Sequence, residues 1–181
     1  NLPLRFRGLQ AVRRRQGCSG HFLRIERKNG ETPLAFCIRN GWADEIYQML
    51  AADFLLLNRD RHGANIEIVR NAKDRTFRLA PLFDHGLSLL FSCHDADAIR
   101  GFDVMQDKRV QCFVGSQSVR ENLRLIPASK MPLLHPLQSS DRVLIMDGLD
   151  PILPRLWQDK IWEMIWRRWQ YYESFCNQKR G

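Results

Sequence analysis

The sequence predicts one mostly helical domain of the α+β class, because helical patterns dominate and strand patterns are short. Apolar residues recur at helical spacing over residues 44–57 and again over residues 150–178. Alternation typical of strands is confined to short stretches within residues 21–38 and 66–80. A length of 181 residues fits one domain, or one lobe of a larger protein, and can bury a core without disulfides.

The first 40 residues predict a basic flanking segment that precedes a helical domain at residues 41–181. Within this segment, "HFLRIERKNGETPLAFCI" (residues 21–38) has the pattern of two short strands around an Asn29-Gly30 turn. Asn-Gly is typical of tight hairpin turns, because both of its residues tolerate a positive φ angle. The segment is therefore expected to contain a short hairpin.

A buried helix is predicted from Asp44 to Leu57. Its apolar residues at helical spacing are Ile46, Met49, Leu50 and Phe54. The polar stretch "NRDRHGAN" (residues 58–65) follows and predicts a loop.

A β-hairpin is predicted directly after this loop. The stretches "IEIV" and "TFRLA" both alternate, and "RNAKDR" between them has the composition of a turn. Pro81 lacks the N–H that a strand ladder needs, so pairing is expected to end before "LFDHG".

The C-terminal half predicts further helices. A short one is expected at Ser118–Leu125, a short helix or turn at Asp141–Met146, and a long helix begins at Asp150-Pro151. The long helix has an apolar side formed mostly by Trp157, Ile161, Met164, Ile165 and Tyr172. Four of the five tryptophans lie on it, and we expect them to pack against the core rather than to stack on nucleic-acid bases.

The charge balance is basic, with 28 Lys and Arg against 20 Asp and Glu and a formal net charge of +8. Five arginines crowd into residues 5–15: Arg5, Arg7, Arg13, Arg14 and Arg15. Such a patch attracts phosphate in nucleic acid or nucleotide, or an acidic partner, and a solvated face or a severed interface is the alternative interpretation.

The cysteines favour a reducing compartment. Their number, five, is odd and no CxxC pair occurs, which indicates free thiols and a cytoplasmic location. No second ligand pair joins Cys93, His94 and His85, so no zinc site is predicted. No apolar run reaches the roughly 20 residues of a membrane span, and no membrane partner is expected.

Three polar residues around the predicted hairpin are the candidate functional site. The hairpin folds the chain back, so Asp60 and Asn65 from the loop before it are expected to lie beside Asp84 after it. The oxygens of Asn65 and Asp84 suit Mg²⁺, which keeps several waters. Asp60 would remain available to accept a hydrogen bond from an incoming hydroxyl, and Gly86 would supply backbone freedom in the turn after Asp84.

This arrangement matches the needs of phosphoryl transfer, in which metal ions neutralise phosphate oxygens and an Asp orients the nucleophile. Protein kinases place the catalytic Asp five residues before a metal-binding Asn and follow both with Asp-Phe-Gly. Here the step from Asp60 to Asn65 is also five, and Asp84-His85-Gly86 follows. The alternative is that Asp60 and Asn65 cap a turn and that Asp84 caps a helix.

At these residues the chain resembles the HipA-type serine/threonine kinases. "NRDRHGAN" followed by "LAPLFDHG" is similar to their catalytic motif, and the resemblance covers residues 44–90. "CFVGSQSVRENLRLI" is a weaker match to the helical region beyond their activation segment. Phosphoinositide-type kinases share the D-R-H-x-x-N and D-x-G patterns and stay an alternative.

The resemblance implies a protein-kinase-like C-terminal lobe that uses ATP and Mg²⁺ to phosphorylate a Ser or Thr of a protein substrate. It implies Asp60 as the catalytic base, Asn65 and Asp84 as Mg²⁺ ligands, and His62 as the residue that holds the loop. It also implies a toxin–antitoxin setting, with an antitoxin-like DNA-binding partner.

Two parts of a kinase are missing from the sequence pattern. "GCSG" at residues 17–20 is a poor phosphate loop, and Lys28 lacks the context of a nucleotide-binding lysine. The chain alone is therefore expected to bind Mg-ATP weakly and to be inactive or weakly active. The alternative function is a pseudokinase or regulatory module that binds a partner or nucleic acid through its basic face.

Overall fold

The computed structural model describes residues 27–70 and 76–181, and this part of the chain is mostly helical with two small sheets. In chain order its helices and strands are α1 (Pro33–Arg39), α2 (Ala43–Leu56), β1 (Asp60–Arg61), β2 (Ile68–Arg70), β3 (Phe77–Leu79), α3 (Ala96–Arg100), β4 (Gln111–Cys112), α4 (Val119–Arg124), α5 (Asp141–Ile145) and α6 (Arg155–Arg180). Short 3₁₀ turns occupy Gly63–Asn65 and Ala128–Lys130.

Helix α1 replaces the second strand predicted for the N-terminal segment, so that strand prediction is wrong. The Thr32 side chain caps the helix by accepting a hydrogen bond from the Ala35 N–H at 3.1 Å, and Pro33 takes the first helical position. Proline is favoured there because its fixed φ suits a helix and its missing N–H is not needed. The Asn29-Gly30 turn does form, with Gly30 at φ 76°. Residues 21–26, the other predicted strand, lie outside the described residues.

Helix α2 is the central element of the core and begins and ends within one residue of its predicted limits. The four apolar residues that predicted it are all buried. The helix packs against α1, α4 and α6. It ends at Leu56, and the left-handed backbone of Leu57 (φ 50°) turns the chain into the polar loop that follows.

Two pairs of short strands form in this loop and beyond it. Strands β2 and β3 pair antiparallel, with Ile68 opposite Leu79, and they lie where the alternation predicts them. Strands β1 and β4 pair parallel, with Asp60 opposite Gln111. This second pairing was not predicted, and it joins the polar loop to a segment about fifty residues later in the chain.

Helix α6 starts at Arg155 rather than at Asp150-Pro151, because residues 150–153 form turns and Pro154 occupies the position before the helix. Trp169 is buried in the core, and the partly buried Trp157 packs against the core, as expected. Trp162 and Trp166 instead stack on each other, with ring centroids 5.6 Å apart, and both are half-exposed.

A buried arginine on α6 ties the core together. The Arg168 guanidinium donates hydrogen bonds to the carbonyls of Phe54, Val104 and Gln106 at 2.8–3.1 Å. Burial lowers the pKa of Arg168 to about 10, so the group is still charged at neutral pH. Among the described residues, no helix combines the length and apolar character that crossing a membrane requires.

Candidate functional site

The candidate site is built from the loop after α2 and the loop after β3. The first loop carries Asp60, His62 and Asn65, and the second carries Asp84 and Gly86. The basic cluster at residues 5–15 and the "GCSG" stretch lie outside the described residues, so the structure says nothing of either.

Arg61 anchors the first loop in the protein interior. Its side chain is 1% exposed and forms a two-point ion pair with Asp53 of α2, with Nε–Oδ2 and Nη2–Oδ1 distances of 2.9 and 2.8 Å. Asn58 joins the pair by donating from Nδ2 to Asp53 Oδ1 at 2.9 Å. The Asn58 Oδ1 in turn accepts a hydrogen bond from the Asp60 N–H at 3.2 Å. A charged and polar network inside the fold therefore fixes the backbone that carries Asp60.

The same guanidinium reaches the second loop. Arg61 Nη1 donates to the carbonyls of Asn65 and Phe83 at 3.0 and 2.9 Å, and Nη2 lies 3.1 Å from His85 Nε2. Arginine has donors and no acceptor, so His85 Nε2 accepts this bond and the ring proton is on Nδ1. The residues on either side of Asp84 are thus tied to the loop that carries Asp60 and Asn65.

Asn65 is buried at the end of the first loop. Its Nδ2 donates to the Asp60 carbonyl at 2.7 Å, which fixes the orientation of the amide and leaves Oδ1 on its other side. A 3₁₀ turn delivers Asn65 to this position, and the His62 ring caps the turn by accepting a hydrogen bond from the Ala64 N–H at 3.1 Å.

The Asp60 carboxylate is partly exposed. His62 Nε2 lies 3.6 Å from Asp60 Oδ2, which is longer than a normal hydrogen bond. Since His62 Nδ1 accepts from Ala64, the neutral ring carries its proton on Nε2, on the side of Asp60. His62 therefore shapes the loop and lies beside the carboxylate.

Asp84 is exposed, and within the described residues its carboxylate makes no hydrogen bond or ion pair. Its backbone adopts the left-handed conformation, with φ 53°. Gly86 does not, and a Cβ placed on it would meet Asp84 Oδ1 at an ordinary 3.7 Å. The turn after Asp84 does form over residues 85–88, where the Ser88 N–H donates to the His85 carbonyl at 3.1 Å and Gly86 takes the second position. Gly86 has no positive φ in this turn, so the expectation that the turn needs the backbone freedom of glycine there is wrong; the left-handed residue is Asp84, before the turn.

The parallel pairing of β1 with β4 places a third segment beside the site. The N–H groups of Gln111 and Phe113 donate to the carbonyls of Arg59 and Arg61, both at 2.9 Å. Beyond β4 the buried Asn122 side chain holds Ser116, accepting from its N–H at 2.6 Å and donating to its carbonyl at 3.2 Å. Sequence reasoning missed this anchor, although the helix predicted at Ser118–Leu125 does form.

A pocket of about 240 Å³ adjoins Asn65. Helix α2 lines one side with Glu45, Gln48 and Met49, and residues 78–83 line the other. Its lining is mixed, with carboxylates, two amides and one guanidinium beside apolar side chains, and Asn65 of the candidate site is one of the lining residues.

Asn65 and Asp84 each carry the kind of oxygen donor that a hard divalent cation such as Mg²⁺ accepts. Asn65 Oδ1 and the Asp84 carboxylate are oxygen donors on two loops that Arg61 ties together, and neither oxygen group has a protein partner among the described residues. No group of three or more His, Cys, Asp and Glu side chains in the described residues is placed to hold a metal. Two oxygen donors that leave room for waters and phosphate are what Mg²⁺ sites in phosphoryl-transfer proteins use.

The other polar residues near the site have structural surroundings. Asp53 is the partner of Arg61, and His85 is half-buried and accepts from Arg61. Ser88 is buried, with no hydrogen-bond partner for its Oγ in the described structure, and Ser92 is exposed.

No family model and no curated protein matches the sequence. Among solved structures, the chain is similar to the crystal structure of a Helicobacter pylori proinflammatory kinase, CtkA. The TM-score is 0.48 and the sequences are 15% identical, with 88% of this chain and 63% of that chain covered. The chain thus spans less than two-thirds of that protein, and a likeness this distant establishes neither family nor activity.

Proposed function

We propose that this chain is the catalytic lobe of a HipA-like protein kinase, which transfers the γ-phosphate of ATP to a Ser or Thr hydroxyl. One observation carries the proposal: the Arg61 guanidinium bonds both the loop of Asp60 and Asn65 and the residues on either side of Asp84. A turn cap or a helix cap would not need three oxygen-bearing side chains on two loops joined in this way.

In this proposal Asp60 acts on the acceptor. Its partly exposed carboxylate is free to accept a hydrogen bond from the substrate hydroxyl and to take its proton as the phosphoryl group is transferred. His62 stabilises the 3₁₀ turn, because its Nδ1 accepts a hydrogen bond from the Ala64 N–H, and its Nε2 lies beside the Asp60 carboxylate. A role for His62 as a second proton carrier is not needed.

Asn65 and Asp84 would hold Mg²⁺ through Asn65 Oδ1 and the Asp84 carboxylate. When bound, the ion would supply neutralisation of charge on the nucleotide phosphates. The protein contribution is to fix the two oxygens: the Asn65 amide is oriented by its bond to the Asp60 carbonyl, and the loop of Asp84 is held by Arg61.

The proposal extends to the surroundings of the reaction. The substrate would be a protein, the partner an antitoxin-like DNA-binding protein, and the location the cytoplasm. The basic residues 5–15 would bind nucleic acid or an acidic partner. Because the sequence shows no glycine-rich loop and no nucleotide-binding lysine, this chain alone would hold Mg-ATP weakly.

The test is phosphate transfer from labelled ATP by the full-length gene product. Asp60→Ala should lower incorporation about 100-fold or more, in line with the loss of a positioned base. Asp97→Ala is the matched control, because that carboxylate is exposed and pairs with Arg100 on the short helix α3. Equal incorporation by the wild type and Asp60→Ala would remove Asp60 from its role.

The second candidate is a pseudokinase or regulatory binding module, favoured by the absent glycine loop and lysine. It predicts that the full-length product transfers no phosphate, whereas a phosphoinositide-type kinase would label lipid vesicles and leave protein unlabelled. The same labelling assay, run with protein and with phosphoinositide vesicles, separates the three.

A further inference from the structure

We infer that Arg61 is a positioning residue that sets the geometry of the Asp84 loop, and with it the affinity of the site for its divalent cation. The part concerning the cation rests on the function proposed above. The part concerning the loop rests on the contacts of Arg61 alone.

All five N–H groups of the Arg61 guanidinium have a partner. Nε and one Nη2 hydrogen bind Asp53, both Nη1 hydrogens bind the carbonyls of Asn65 and Phe83, and the second Nη2 hydrogen faces His85. A planar group with five fixed donors constrains the positions of its partners, because moving any one partner breaks a hydrogen bond. Lysine, with three donors, cannot replace it.

The two halves of the second loop are held differently. The far half is fixed by backbone bonds, from the Arg59 N–H to the Leu87 carbonyl at 3.1 Å and from the Leu89 N–H to the Leu56 carbonyl at 2.8 Å. The half that contains Asp84 is joined to the first loop by the Arg61 bonds to Phe83 and His85. Asp84 also holds a left-handed backbone, which a residue other than glycine keeps only when its neighbours fix it.

The Asp53 end makes this bridge rigid. Asp53 lies on helix α2 within the core, and its two oxygens fix the plane of the guanidinium. The Arg61 guanidinium therefore bonds the helix, the Asn65 turn and the Asp84 loop at the same time. Residues that orient metal ligands without touching the metal typically change metal affinity by about 10- to 100-fold when they are removed.

Arg168 supplies the matched control. It is as deeply buried as Arg61 and donates to three carbonyls, whereas Arg61 donates to two. The carbonyls that Arg168 bonds belong to Phe54, Val104 and Gln106 and not to either loop of the site. Arg61→Met and Arg168→Met each remove one buried guanidinium. They differ in that Arg61→Met takes away the bonds that hold the Asp84 loop and also leaves Asp53 unpaired.

The first measurement is the Mg²⁺ concentration that half-saturates phosphate transfer by the full-length gene product. Arg61→Met should raise this Mg²⁺ concentration about tenfold. Arg168→Met should lower the folded fraction of the protein but leave the half-saturating Mg²⁺ concentration unchanged. Arg61→Lys should recover at most part of the loss. An unchanged Mg²⁺ requirement in Arg61→Met, with active wild type, would overturn the inference about the cation.

The second measurement does not need activity. Chymotrypsin cleavage after Leu82 or Phe83, both exposed, should be faster in Arg61→Met than in Arg168→Met when the two are compared at equal global stability. Equal cleavage rates would overturn the positioning role even if the chain transfers no phosphate. Faster cleavage without any phosphate transfer in the wild type would keep the positioning role and reject the proposed function.

Discussion

Arg61 and Asp53 form a two-point ion pair inside the fold, with side-chain exposures of 1% and 7%. The pair joins the central helix α2 to the loop that carries the candidate catalytic residues. Burying two charges is costly, and the geometry here offsets that cost because Asn58, Asn65, Phe83 and His85 satisfy the remaining hydrogen-bonding groups. Stability and the shape of the site therefore depend on the same guanidinium.

Breaking this pair from one side should destabilise the fold strongly. Asp53→Asn leaves a buried guanidinium without its carboxylate, and Arg61→Met leaves a buried carboxylate without its guanidinium, so each should cost about 3–5 kcal/mol of unfolding free energy. The double variant should cost clearly less than the sum of the two. Urea unfolding of the four proteins measures both effects. Strict additivity would mean that the two side chains do not stabilise each other.

Helical periodicity in the sequence was sufficient to predict α2, and alternation was sufficient to predict strands β2 and β3. The sequence also contained the start signal of α1, Thr32 followed by Pro33, but the Asn29-Gly30 turn favoured a hairpin interpretation. A tight turn and a helix cap are compatible, and here one follows the other within three residues.

The buried arginines and the β1–β4 pairing could not be predicted in the same way. Strands of two residues have no periodicity to detect, and Asp60 and Gln111 are paired by tertiary structure alone. Arg61 and Arg168 look like surface residues in sequence, since arginine is rarely buried unless it finds partners. Their partners are mostly backbone carbonyls distant along the chain. Every residue type carries such a carbonyl, so the amino-acid sequence gives no sign of which ones an arginine will bond.

His62 should act through its cap rather than through proton transfer. His62→Ala removes the acceptor for the Ala64 N–H and should lower stability by about 0.5–2 kcal/mol, together with phosphate transfer. His62→Asn restores a side-chain acceptor and should recover stability and most of the transfer rate. Denaturant unfolding and labelling from ATP measure the two properties. A stable but inactive His62→Asn protein would instead assign chemistry to the imidazole.

Cys37 should resist alkylation in the folded protein. The residue is fully buried, and burial raises the pKa of its thiol from 9.0 to about 12, so thiolate is scarce at neutral pH. Iodoacetamide labelling at pH 8 followed by peptide mass spectrometry should show slow modification of Cys37, and fast modification in denaturant. Equal rates in the two conditions would contradict the buried position.

The same thiol makes stability depend on pH in the alkaline range. Between pH 9 and 12 the unfolded chain has lost the Cys37 proton while the folded chain keeps it, so unfolding free energy falls as pH rises through this window. Cys37→Ala removes this contribution and should flatten the slope between pH 9 and 10.5 in urea unfolding experiments. A slope identical to that of the wild type would show that Cys37 ionises equally in both states.

Gly115 should tolerate substitution far less than Gly86, although both lie beside the site. A Cβ on Gly115 would come within 2.3 Å of Asn122 Oδ1 and 2.9 Å of its Cγ, and Asn122 cannot move without losing its two bonds to Ser116. Gly115→Ala should therefore cost about 1–3 kcal/mol, a typical penalty for overpacking. A Cβ on Gly86 meets Asp84 Oδ1 at an ordinary 3.7 Å, so Gly86→Ala should change unfolding free energy by less than about 0.5 kcal/mol. Thermal and urea unfolding of both variants compare the two positions, and a larger loss at Gly86 than at Gly115 would contradict the difference in free space around the two glycines.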